Sequence, residues 1–282
     1  MLEMPWLAVV DWVLAGTGLI LLIAIASRSG AERRRDSFAD TPVRSHQLRE
    51  EAVILTVCAY LLAALALGAI MGQALPDPND VRTRLVVGNG AQLAGIAASL
   101  AVVGRRFDGG ATRFILGPPR RPIGTMIRTI GLVFVIGAGV CPLLAEGTIR
   151  LIHALTPSTV LDAHPTLQAL HNDAQPGWIT LCLWIGAAGV APVAEELFFR
   201  GILQNVLLVL VRSRWVTILL ASLAFGAVHV SQFHTIPALV ALGILLGWAY
   251  EKTGSLVPPI LVHSLFNLKT LVWDALGASP PG

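Results

Sequence analysis

Eight apolar segments follow one another along this chain, at 6–26, 52–73, 85–104, 124–145, 178–198 (with a continuation to 211 left open), 215–233, 235–250 and 256–275. About 20 apolar residues in a helix match the hydrocarbon thickness of a bilayer. A backbone crossing that layer has no water to bond, so it must satisfy its own polar groups, as a helix does. The pattern predicts an all-α fold, a polytopic membrane helix bundle with about eight transmembrane helices. Only 13% of residues are charged, against about 25% in soluble domains, and the mean hydropathy is +0.71.

The formal charge of +3 is carried by arginines clustered at the ends of the apolar runs. That distribution is the positive-inside pattern of membrane proteins, and with no basic stripe interleaved with aromatics it argues against a nucleic-acid partner. The basic loops are 27–51, 105–128 and the turn at Arg212–Arg214, whereas 74–84 and 146–177 are less basic. Alternating them places both termini outside and the basic loops in the cytoplasm, as expected for a bacterial cytoplasmic (inner) membrane. The first run ends in AIAS, which can be read as a cleavage site. An acidic leading segment and Arg28, Arg33, Arg34 and Arg35 behind it favour a retained span. Residues 1–150 then form N-terminal transmembrane helices without a signature, and 151–177 an extracytoplasmic amphipathic loop. His153, His164 and His171 in and around that loop have spacings that put them on no common face. Cys58, Cys141 and Cys182 offer no disulfide framework and no metal-binding pair; they read as buried free thiols.

Within the run from 178 to 211, Glu195 and Glu196 stand side by side, with no charge before them back to Asp173 and none after until Arg200. Intramembrane carboxylates are expensive and mark function by default. On a helix Glu196 and Arg200 are i,i+4 neighbours and form an ion pair. Glu195 then points about 100° away toward a different partner, where a carboxylate can serve as general base toward water. Two further regions carry polar groups at membrane depth, Phe225-Gly-Ala-Val-His229 and His263-Ser-Leu-Phe-Asn267. His263 and Asn267 share one helix face. If the three regions converge, they supply a base, an imidazole partner and donors for an oxyanion.

In order and spacing, EELFFR at 195–200, FGAVH at 225–229 and HSLFN at 263–267 resemble the motifs of the CPBP (Abi) family, the type II CAAX prenyl proteases and bacteriocin-processing enzymes. The approach TGSLVPPILVHSLFN from Thr253 is also similar. The resemblance covers about 178–270 and makes 178–276 a CPBP-like catalytic core. It implies a glutamate-dependent intramembrane endopeptidase acting on a peptide or membrane-associated protein. Glu195 and His229 would activate water, His263 and Asn267 would stabilise the oxyanion, and Glu196 and Arg200 would hold the site. It points to no cofactor. A divalent metal such as zinc is the alternative, and would use Glu195, His229 and His263, although the HExxH signature is absent.

Two other classes compete. One is a non-catalytic membrane binding or bacteriocin-immunity protein, which would not need Glu195. The other is a proton-coupled transporter, for which no repeat-related broken helices are present.

Overall fold

The computed structural model describes residues 5–31, 38, 50–74, 80–117, 122–159, 161, 165–170 and 177–277. Among them are ten helices and no strand. These are α1 (Pro5–Ala31), α2 (Glu50–Ala74), α3 (Val81–Arg106), α4 (Gly110–Leu116), α5 (Ile123–Leu155) and α6 (Pro165–Leu170), followed by α7 (Gly177–Val211), α8 (Arg214–Ala227), α9 (Ile236–Thr253) and α10 (Val257–Ala275). Each of the eight expected segments falls on a helix. Among the described residues six spans are long and apolar enough to cross a membrane, those of α1, α2, α3, α5 and α7 and Val230–Thr253 around α9. The protein is an integral membrane helix bundle. The α8 helix is apolar but shorter, and α10 is diluted by Pro258, Pro259, His263, Asn267 and Lys269.

The α5 helix is the scaffold: α1 packs on one side of it and α9 and α10 on another, while α2 pairs with α3 and α8 with α9. It runs to Leu155, ten residues past the expected end at 145. A Glu146–Arg150 pair at i,i+4 (2.6 Å) supports that extension. His153 lies exposed on it, and His164 and His171 lie outside the described residues. Cys141 is buried, but Cys58 is exposed, facing outward from α2. A thiol on the outer face of a lipid-facing helix is simply a small apolar side chain.

Close helix approach depends on small residues, as is usual in membranes. At Gly139 a Cβ would run into the backbone of Leu14 and Ala15 on α1, and at Gly18 into that of Val135 and Ile136 on α5. Gly139→Val is therefore expected to push α1 off α5 at a cost of about 1–3 kcal/mol, read as a lower thermal unfolding midpoint in detergent. An unchanged midpoint would mean that the α1–α5 contact contributes nothing.

The turn between α9 and α10 fixes the entry of the last helix. Gly254 ends α9 with φ 66°, the left-handed conformation that glycine adopts without a Cβ penalty. Ser255 Oγ donates to the Ile115 carbonyl (3.0 Å) and accepts from Val257 N–H (3.2 Å), and Leu256 N–H donates to the same Ile115 carbonyl (2.8 Å). The end of α4 and the start of α10 are thereby tied together. Gly117, with φ 76°, packs against the Gly254 carbonyl where no side chain fits.

Candidate active site

The glutamate pair sits where α7 departs from regular winding. Widened π turns occupy Gly186–Val190 and Leu197–Leu203, and the α-helical stretch Ala191–Glu196 lies between them. Such turns are rare and frequent at functional sites, because each re-aims the side chains that follow. They also explain why Pro192 does not break the helix. It stands at the start of the inner α segment, where a missing N–H is tolerated. The resulting helix is continuous over 35 residues.

Glu196 turns inward and is fully buried. Its Oε1 accepts from Arg200 Nη1 (2.8 Å) and from His263 Nδ1 (2.9 Å). Arg200 is buried as well, donates from Nη2 to the Gly243 carbonyl (3.3 Å), and lies over the Phe225 ring at 4.8 Å. Contact with an aromatic face supplies part of what the guanidinium loses in leaving water.

Glu195 faces the other way, and its side chain is 26% exposed. Its Oε2 lies 3.8 Å from His263 Nε2. That is too long for a direct hydrogen bond and leaves room for an oxygen atom within reach of both. With Nδ1–H donating to Glu196, His263 Nε2 is an acceptor in the neutral ring and a donor in the doubly protonated one.

His229 stands just beyond the end of α8. The sequence placed this span at 215–233; the helix instead ends at Ala227. Fourteen residues are about 21 Å of helix, short of the ~30 Å core, and the turn that follows leaves Val228, Val230 and Phe233 exposed while His234 is buried. The His229 Nδ1 bonds the Phe225 carbonyl (2.8 Å), one of the acceptors that a helix end leaves open. With the proton on Nδ1, Nε2 is an acceptor. The Phe225 ring contacts both histidines, with centroids 5.2 Å from His229 and 5.7 Å from His263. It therefore holds three of the motif side chains, Arg200 included, around itself. Asn267 Nδ2 donates to the Ala187 carbonyl in the first π turn (2.9 Å), leaving one N–H of that amide uncommitted.

Among the described residues no three His, Cys, Asp or Glu side chains gather to hold a metal ion. In the trio that zinc would use, both Nδ1 atoms are committed, to Phe225 O and to Glu196, so Nε2 is the ring nitrogen each histidine has left to offer.

Two features escaped the sequence reading. A cavity of about 280 Å³ opens beside Glu195, walled by α2 and α3 as well as α7; those two helices carry no motif. A second buried polar cluster lies farther along α7. Gln204 Nε2 donates to Glu251 Oε1 (2.8 Å), and Asn205 Nδ2 approaches the Tyr250 hydroxyl (3.0 Å). Polar residues at 204, 205 and 251 in apolar surroundings were the available signal. Glu251→Leu is expected to leave Gln204 half-satisfied and to cost about 1–3 kcal/mol, measurable as a lower unfolding midpoint; an unchanged midpoint would remove this cluster from the packing account.

The same part of the chain is where known proteins match. Residues 177–269 match the family described as type II CAAX prenyl endopeptidase Rce1-like. This segment resembles the Rce1-like family. The resemblance drawn from the three motifs holds over it, and all six motif side chains described above belong to the Rce1-like segment. An uncharacterized 24.3 kDa protein of Escherichia coli is 32% identical over 151 residues, which is 50% of this chain and 64% of that protein. The chain thus covers less than two thirds of that relative's length. No solved structure gives a significant match.

Proposed function

We propose that the protein is an intramembrane endopeptidase that hydrolyses a peptide bond in a membrane-associated protein or peptide with water activated by Glu195. The observation that carries this reading is the division of labour between adjacent carboxylates. Glu196 is consumed by Arg200 and His263, whereas Glu195, the carboxylate that Arg200 does not bond, faces both a cavity and His263 Nε2. The Rce1-like match supports protease chemistry at the level of the family.

In this mechanism Glu195 removes a proton from water while His229 Nε2 accepts the water's other hydrogen in a hydrogen bond. The hydroxide attacks the scissile carbonyl carbon. The oxyanion accepts from His263 Nε2–H and from the second N–H of Asn267, donors held in place before the charge develops. Glu195 then passes its proton to the amide nitrogen, the C–N bond breaks, and a carboxylic acid and an amine leave. Glu196 and Arg200 touch no substrate; they position His263. The membrane is a bacterial cytoplasmic membrane with both termini outside, and the substrate is not restricted to a prenylated protein.

His263→Ala and His229→Ala test the assignment. With protein purified into lipid nanodiscs and a proteome-derived peptide library as substrate, each is expected to slow cleavage by about 10²-fold or more, His229→Ala with little change in the unfolding midpoint and His263→Ala with a lower one, because buried Glu196 loses a hydrogen-bond partner. Wild-type rates in both variants would overturn the mechanism.

A further inference from the structure

The cavity beside Glu195 is apolar nearly throughout, and α2 lends it Val57, Tyr60 and Leu61. Ser99 of α3 also lines it but is already spent, since its hydroxyl donates to the Thr56 carbonyl (3.3 Å). The Tyr60 hydroxyl is different. Among the described residues it has no hydrogen-bond partner, and it is not sealed in the packing. A phenol ionises only near about pH 10, so at neutral pH this group is an O–H with a proton to donate. The Glu195 carboxylate is near enough for its charge to act on it.

The Tyr60 ring is seated by the neighbouring helix. A Cβ on Gly95 of α3 would come within 2.6 Å of Tyr60 Cδ2 and 2.7 Å of Cε2, so the bare glycine makes room for the ring. Tyr60 also packs against the buried cluster that contains Ile96, Ala194 and Leu197. A ring held in this way keeps its hydroxyl in place, and a donor fixed in advance loses little freedom on binding.

A peptide in this cavity needs such a donor. Its backbone carbonyls leave water for apolar walls, where an unpaired one is costly. An acyl or isoprenoid chain offers no acceptor along its length, so the open hydroxyl selects a peptide as the occupant of this part of the cavity. We propose that Tyr60 is a substrate-binding residue whose hydroxyl donates a hydrogen bond to a backbone carbonyl of the peptide segment flanking the scissile bond. In that role α2, outside the Rce1-like segment, sets the register in which the substrate meets Glu195. The inference rests on the endopeptidase reading above.

The test uses full-length protein in lipid nanodiscs. The peptide cleaved best from a proteome-derived library is resynthesised as a series of single thioamides on either side of the scissile bond, each replacing one carbonyl oxygen with sulfur, a weaker acceptor. One thioamide is expected to lower wild-type kcat/KM by about tenfold. Tyr60→Phe, which deletes only the hydroxyl, should already be slower by a similar factor at unchanged unfolding midpoint and lose nothing further from that thioamide. Gly95→Ala keeps the hydroxyl but displaces the ring; it should also lose the response, and serves should the phenylalanine variant not fold.

The same thioamide profile in wild type, Tyr60→Phe and Gly95→Ala would overturn the assignment, even if both variants were slow. Glu195→Gln separates the two claims. Inactive Glu195→Gln with a thioamide profile indifferent to Tyr60 refutes only the role of Tyr60. Full activity in Glu195→Gln, or no Glu195-dependent cleavage of the library, refutes the protease reading beneath it.

Discussion

Glu195→Gln is expected to lower cleavage by about 10²–10⁴-fold, the range that a positioned general base contributes, with little change in the unfolding midpoint. Glutamine has the same shape and keeps an oxygen toward His263, but it cannot take a proton from water. The side chain is 26% exposed, and its separation from His263 Nε2 is 3.8 Å, so no close buried ion pair is broken. Activity and stability are thus predicted to separate cleanly at this position. A comparable fall in both would mean that Glu195 holds the bundle together and its chemistry is unproven; retained activity would mean that another group activates water.

The opposite behaviour is expected one turn away. Arg200→Leu should cost about 3–5 kcal/mol, the usual penalty for leaving one member of a buried pair alone, out of a typical total of about 5–15 kcal/mol. Glu196 would lose the Nη1 hydrogen bond at 2.8 Å and retain only His263 on the same oxygen, while Oε2 already lacks a hydrogen-bond partner. A double variant, Arg200→Leu with Glu196→Leu, removes both charges and should recover part of the loss, since apolar residues often replace a buried pair at little cost. Thermal unfolding in detergent distinguishes these cases. If Arg200→Leu unfolds at the wild-type temperature, the pair is not structural; if the double variant is no better than the single one, packing against Phe225 outweighs the charge.

The helices were legible in the sequence because the constraint there is composition. An apolar run of bilayer length has one good solution, and the runs 6–26, 52–73, 85–104 and 124–145 each became a helix. The ends were less legible. Nothing local announces that α8 stops at Ala227, since Val228 and Val230 are as apolar as the helix before them. What ends it is a tertiary arrangement in which His229 takes the Phe225 carbonyl and its ring packs on Phe225. Glu196 with Arg200 was readable from i,i+4 spacing alone. Its bond to His263 was not, because it spans 67 positions. The π turns around Glu195 could not be read either; Gly186, which faces the Asn89 side chain so closely that a Cβ would collide with it, is intelligible only once α3 is in place.

The most direct test of the central claim compares new protein termini in cells carrying wild type with those in cells carrying Glu195→Gln at matched expression. Termini present only with wild type are the predicted result, and they would identify the substrates. Identical termini in the two, under conditions where deleting the gene still gives a phenotype, would contradict the protease account and leave a membrane binding protein in its place.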